Sequence, residues 1–344
     1  MLPRLRSALP WVLFAAVIVL VGATGGPFLM TVGMVTALSI ILSSGMNVAM
    51  GYGGLLNLGI GAFYGLGAYG TAILSLHFQA SFWVILVAVV VVAAVTAVVL
   101  GLPILRTRGL YFAIATLAIG VIGTDVANNW VEVTQGPIGL AGIERPDLLG
   151  WDLSDLQPMY FFAAVVAFLA VGVVAFFARS RYGQVLVAVR EDEQLAQSFG
   201  YRTLAFKVGG FALSSVIAAV AGIVYAYAIQ YVSPTPFSFL TGSFQAFVVV
   251  AVGGGGTVWG PVVAAVLLVG VPDLLDFSPT TNQFIYAVAL LVVVVALRGG
   301  VVPALRRLAR RAAPPRPPVA AGTGQGRSRE VPGQRVPAGG PPTA

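Results

Sequence analysis

Arg190, Glu191, Asp192, Glu193, Arg202 and Lys207 fall within the eighteen residues REDEQLAQSFGYRTLAFK, in a chain of 344 residues that is 9% charged and 58% hydrophobic. Charges of both signs gathered at one place set this segment apart between two long apolar runs. There is no cysteine and a single histidine, His77, so thiolate metal sites, cysteine nucleophiles and histidine metal pairs are excluded. The only lysine, Lys207, follows Ala205-Phe206 and precedes Val208. A Gly-x-x-x-x-Gly-Lys-Ser/Thr phosphate loop is therefore missing, and any ATP that drives this chain is hydrolysed by another subunit. Neither HExxH nor Gly-x-Ser-x-Gly occurs, and no pair of buried carboxylates can be read. The expectation is a protein that is not an enzyme and carries no cofactor.

The elements that position this segment are apolar runs. Mean hydropathy is +0.94, and stretches of roughly 18 or more apolar residues mark a chain dissolved in lipid. Breaks at charges, prolines and glycine clusters give candidate spans at 9–25, 28–50, 55–78, 82–104, 109–125, 158–178, 205–231, 242–254, 259–275 and 282–298. The eighth and ninth are short and glycine-interrupted, so they read as broken or re-entrant. An all-α polytopic membrane protein of about ten segments is the predicted fold class. Residues 9–298 form the membrane domain, with a short N-terminus at 1–8 and a Pro/Gly-rich basic tail at 299–344 that is too polar to build a core. Basic Arg4 and Arg6 before an apolar stretch and Val21-Gly22-Ala23 also fit a signal peptide. The second apolar run follows at once, which favours a retained first helix.

Parity sets the orientation. With both termini cytoplasmic, every Lys and Arg of the 19 except Arg145 falls inside, while Asp125, Glu132, Glu144, Asp147, Asp152, Asp155, Asp273 and Asp276 fall outside. The net charge of +7 is then a positive-inside signal and not a nucleic-acid footprint. Residues 126–157 become an extracytoplasmic loop and 179–204 a cytoplasmic one. No Asp, Glu, Lys or Arg lies near the middle of a span, where each costs at least about 2.5–3.5 kcal/mol, which argues against proton coupling and voltage sensing. His77, beside Phe78 and Trp83, reads as an interfacial anchor.

Glycine marks what charge does not. GYGGLLNLGIGAFYGLGAYG at 51–70 and VGGGGTVWGP at 252–261 interrupt apolar runs in the two halves. Such breaks let backbones approach closely or turn free amides and carbonyls toward a cavity. Asn57, Gly59, Gly61, Gly65, Gly67 and Thr116, with Gly253, Gly254, Gly255, Gly256 and Thr257, are the candidates for a translocation path or helix break. Tight packing alone is the alternative for each. Asn47 and Gln245, also polar in apolar surroundings, read as helix glue.

Residues 190–200 predict a short amphipathic helix. Glu191, Asp192 and Glu193 stand in its first turn, Leu195, Ala196 and Phe199 form an apolar stripe, and Gly200 ends it. Docking and a solvated loop are both open on these residues alone. The run SRYGQVLVAVREDEQLAQSFGYRTLAFKVGGFALSSVIAAVAGIVYA resembles the cytoplasmic loop of permease subunits of branched-chain amino acid ABC importers. GYGGLLNLGIGAFYGLGAYGTAIL, RTRGLYFAIATLA, TQGPIGLAGI, VSPTPFSF and GGGGTVWGPVVAAVLL match in the same order across about residues 40–300, nearer the M-type than the H-type subunit. Ile60 departs from a frequent Leu-Gly-His, and Gln197 replaces the second of two alanines.

The resemblance implies that Arg190, Glu191, Asp192, Glu193, Leu195, Ala196, Phe199 and Gly200 form the coupling helix that docks on an ATPase subunit. It implies a paralogous permease as heterodimer partner, two cytoplasmic ATP-binding subunits and an extracytoplasmic solute-binding protein, in a bacterial plasma (inner) membrane. The implied cargo is leucine, isoleucine, valine or related small amino acids, with urea or short amides as the family's other substrates. A self-contained secondary carrier is the alternative class.

Overall fold

Every fourth residue of the fourth apolar run, Ile85, Val89, Ala93, Ala97 and Gly101, is buried, while Val84, Val87, Val91, Val95 and Val99 between them are exposed. One stripe of that helix rests on protein, and the rest is as apolar as a lipid-facing surface must be. The computed structural model describes residues 2–107, 109–148 and 151–275, with Thr281, Phe284 and Val288 as further helical residues. Nearly all of the span expected at 282–298, the tail at 299–344, and Arg108 and Asp276 lie outside the described residues.

Among the described residues a helix stands at each of the first nine expected spans. The described helices are α1 (Leu2–Thr24), α2 (Pro27–Met46), α3 (Ile60–Phe78), α4 (Phe82–Ile104), α5 (Leu110–Asn129), the short α6 (Val131–Thr134), α7 (Leu156–Arg179), α8 (Arg181–Glu191), α9 (Glu193–Ser198), α10 (Thr203–Ile229), α11 (Phe244–Gly253), α12 (Trp259–Ala265) and α13 (Val271–Leu274), of which α6, α8 and α9 fall between the expected spans. Helix α2 runs on as a π turn over Asn47–Tyr52, and α12 joins α13 through another over Val266–Gly270. Among the described residues five helices are long and apolar enough to cross a membrane: α2 with its π turn, α4, α5, α7 and α10. The protein is a helical polytopic membrane protein. Helix α1 begins at Leu2, seven residues before the expected start, and takes in the residues read as a separate N-terminus.

Helix α10 is the axis. Its 27 residues span about 40 Å at 1.5 Å per residue, and α3, α4 and α2 all pack along it. Small residues make the α3–α10 crossing close. A Cβ on Gly67 would stand 2.0 Å from the Ala219 carbonyl oxygen, and one on Gly222 would stand 2.1 Å from that of Tyr64. Without a hydrophobic drive between helices in lipid, such backbone approach is how apolar helices hold together. Helix α1 is fixed by aromatic edges instead: Trp11 meets Phe168 at 5.2 Å and Trp259 at 4.9 Å between ring centroids.

The two ends of α10 are finished differently. At the Ile229 end, strand β1 (Leu140–Ala141) pairs antiparallel with β4 (Tyr231–Val232), and the small β2 (Asp147–Leu148) and β3 (Trp151–Asp152) pair with each other. Arg145 donates to the carbonyls of Tyr227 and Ala228, each at 3.3 Å, and to that of Ser154 at 2.6 Å. A cation on the last carbonyls of a helix offsets its dipole, which explains why one arginine stands apart from the others. Asp152 there accepts from the Ser154 amide at 2.8 Å, and this hydrogen bonding holds its carboxyl below the usual range.

Candidate functional site

The opposite end of α10 carries the charged segment. Ser180 caps α8 by accepting from the Gly183 amide at 3.1 Å. Helix α8 then ends at Glu191, because Asp192 is extended (φ −151°, ψ 103°). The segment is therefore two helices and not the single helix over 190–200 that the spacing predicts. Asp192 sits outside the helix as the cap of α9, its carboxylate accepting from the Leu195 amide at 2.9 Å. Aspartate favours a cap over a helical position because its short side chain reaches the free amides there.

The other acidic groups also find partners within the chain. Glu193 pairs with Lys207 at 2.7 Å and accepts from the Thr203 hydroxyl at 3.2 Å, binding α9 to the start of α10. Glu191 pairs with Arg190. All three carboxylates thus have partners within the chain. Two large apolar side chains also face outward. Phe199 is 74% exposed and Leu195 55%, whereas Ala196 is buried at 5% and roots the turn. Gly200 ends α9 with φ +85°; its amide donates to Gln197 at 2.9 Å and that of Tyr201 to Ala196 at 3.3 Å. This paired closure needs a left-handed residue, and glycine takes that conformation without strain.

Arg190 reaches across the bundle. Its guanidinium donates to the Gly51 carbonyl at the end of the π turn, and its stem lies on Gly54, where a Cβ would come within 2.5 Å of its Cγ. Asn47, on the same π turn, donates to the Thr257 carbonyl and accepts from the Gly256 amide, both at 2.9 Å. A Cβ on Gly51 would stand 2.3 Å from the Gly256 nitrogen. The two glycine clusters are thus brought together at one knot, with the arginine of the charged segment on it. Sequence reading placed Arg190 and Gly256 among the candidates but missed Asn47, Gly51 and Gly54 as their partners. The polar Asn47 inside an apolar run was the available signal.

The other candidates divide by position. Gly253 ends α11, and Gly254 through Gly256 with Thr257 make the turn to α12; the Thr257 hydroxyl donates to Gly254 at 2.8 Å and accepts from the Gly260 amide at 3.1 Å. Asn57 and Gly59 belong to the non-helical stretch between the π turn and α3. The Thr116 hydroxyl accepts from the Leu58 amide at 3.2 Å and lies 3.3 Å from the Leu56 carbonyl, clamping that stretch to α5. Asn57 accepts from the Gly59 amide at 3.2 Å, while its Nδ2 is buried without a partner. Gly61 and Gly65 do not meet α10: both lie against Phe237, and the Gly61 amide donates to the Ser243 hydroxyl at 2.9 Å. Gly67 alone of this group meets α10.

A family model described as the permease component of branched-chain amino acid transport systems matches residues 28–297. The chain is 35% identical over 288 residues to the high-affinity branched-chain amino acid transport system permease protein LivM of Salmonella typhimurium, covering 75% of this chain and 68% of that one. It is 34% identical to its counterpart in Escherichia coli K12, over 76% of this chain and 68% of the relative. At 28% identity it also resembles the autoinducer 2 import system permease protein LsrC of Escherichia coli SMS-3-5, over 62% of this chain and 72% of that one. No solved structure matches.

Proposed function

The chain belongs to the family of permease components of branched-chain amino acid transport systems, and on that premise we propose that it carries branched-chain or closely related neutral amino acids into the cytoplasm, driven by a separate ATPase. It is an ABC transporter permease. The observation that carries the coupling is the outer face of α9: Phe199 and Leu195 are bare while every neighbouring carboxylate is satisfied within the chain. An exposed apolar pair on a short capped helix is what a groove on another protein takes up. Arg190, at the end of the adjoining α8, reaches the knot at Gly51 and Gly256, so a push on α9 is delivered through α8 to the ends of α2 and α11. The assembly we propose contains a paralogous permease, two ATP-binding subunits and an extracytoplasmic solute-binding protein, in a bacterial inner membrane.

Reconstituted with those partners in liposomes, the permease should take up leucine only when ATP is supplied to the cytoplasmic face. Uptake that persists without ATP and collapses with an ion gradient would assign it to the secondary carriers instead. The orientation follows from placing the knot on the cytoplasmic side. A reporter fused after Ser180 should read cytoplasmic and one near Asp147 extracytoplasmic; a cytoplasmic signal at Asp147 would overturn the parity scheme.

A further inference from the structure

A cavity of about 190 Å³ lies among α2, α3, α10, residues 236–241 and the start of α11. It is smaller than the roughly 300–1,000 Å³ of pockets for drug-sized ligands, and so suits a molecule of roughly ten non-hydrogen atoms. Its walls are of two kinds. Val35, Leu38 and Leu42 line the α2 side, and Ser39, Tyr64 and Tyr225 add hydroxyl-bearing side chains. No Asp, Glu, Lys or Arg lines it. A larger cavity of about 710 Å³ between α3, α4 and α5 has almost wholly apolar walls and offers little to a charged head group.

The aromatic wall is packed ring against ring. The Tyr64 and Tyr225 rings meet edge to face at 5.6 Å, and Phe237 backs both, at 4.9 and 5.3 Å. Phe237 is itself held against Gly61 and Gly65, which gives those two glycines a purpose other than helix contact. Ser39 lies twelve residues into α2, about 18 Å from its start at 1.5 Å per residue. Tyr225 stands four residues before the end of α10. The cavity therefore sits between the bundle's middle and the end that carries β1 and β4, away from the Arg190 knot.

We propose that this cavity is a subsite of the transport path for a small neutral amino acid, with Ser39, Tyr64 and Tyr225 toward its ammonium and carboxylate and Val35, Leu38 and Leu42 toward its aliphatic side chain. The inference rests on the import reading above. Hydroxyls satisfy both ends of a zwitterion, because each donates and accepts. Aromatic faces add attraction for the ammonium. A solute with net charge finds no countercharge here and pays the full penalty of desolvation.

The chain contains no cysteine, so Ser39→Cys gives it a single thiol inside the cavity. In the assembled transporter in liposomes, labelling of this chain by a small methanethiosulfonate, read from its mass, should slow severalfold with saturating leucine and remain unchanged with lysine or glutamate. Adding Tyr225→Phe should raise the half-protecting leucine concentration roughly tenfold, about 1.4 kcal/mol. If Ser39→Cys fails to assemble, Thr241→Cys on another wall of the cavity carries the same measurement. Leucine uptake without protection of either thiol would overturn the subsite and leave the import reading standing. Protection by a different neutral amino acid, with no leucine uptake, would support the subsite and overturn the substrate reading. Equal protection by lysine would overturn the selection against charge.

Discussion

Replacing Gly67 with leucine should leave little folded permease to purify. The first carbon of the new side chain would stand 2.0 Å from the Ala219 carbonyl oxygen, 2.7 Å from its carbon and 2.8 Å from its Cα. Backbone cannot rotate away as a side chain can, so α3 and α10 must separate. Overpacking a tight site costs about 1–3 kcal/mol even for modest insertions, and this one opens the most extensive helix contact in the described bundle. Gly222→Leu, aimed at the Tyr64 carbonyl from the other helix, should fail likewise. Gly172→Leu on α7 is the control, since nothing lies within 4 Å of its Cβ position. The measurement is the monodisperse yield from detergent, followed by thermal unfolding. Equal yields and equal midpoints for Gly67→Leu and Gly172→Leu would mean that the crossing is not what holds the bundle.

Phe199→Asp should abolish ATP-driven uptake while leaving the permease inserted and folded. Phe199 is exposed in the isolated chain, so the aspartate costs nothing until a partner covers it. An unpaired charge buried at an interface then costs several kcal/mol, and about 3 kcal/mol weakens binding by roughly two orders of magnitude. The ATPase should no longer co-purify. Arg190→Ala separates docking from transmission: the apolar face of α9 stays, but the guanidinium contact with Gly51 is lost. That variant should keep the ATPase and lose substrate-stimulated hydrolysis. Gly200→Pro should resemble Phe199→Asp, because proline fixes φ near −65° where the turn needs +85°. Retained ATPase, full stimulated hydrolysis and full uptake in Phe199→Asp would make α9 a solvated loop.

Much of the fold could be read from hydropathy alone, since each long apolar run has one affordable structure in lipid. Helix α4 is the plainest case, its buried residues falling every fourth position. The stop at Gly200 was also legible, because glycine after an amphipathic turn has few other uses. The break at Asp192 was not. An aspartate ahead of a helix and one in its first turn look alike in sequence, and only the backbone angles separate them. The inward pairing of Glu193 was hidden because its partner, Lys207, lies across the Gly200 turn on the next helix. The clustered glycines were conspicuous, yet Gly61, Gly65 and Gly67 look equivalent while facing a phenylalanine, the same phenylalanine, and a helix backbone respectively. Which surface a small residue meets depends on elements more than a hundred positions away.

The knot at Gly51 also orders how the protein is made. Its parts come from residues 47–54, from Arg190 and from residues 254–257, separated by 139 and 209 positions along the chain. A chain leaving the ribosome therefore carries an open Gly51 carbonyl and an unanswered Asn47 amide through most of its synthesis. Helices α3 to α7 can enter the membrane and pack before either is met, since a domain's early parts fold ahead of its late ones during synthesis, and Arg190 on α8 then answers Gly51 ahead of Asn47. Closure waits for the turn after α11. A product truncated before that turn would hold most of the bundle yet leave Asn47 unmatched, giving a membrane protease a local mark by which to tell the unfinished subunit from the finished one.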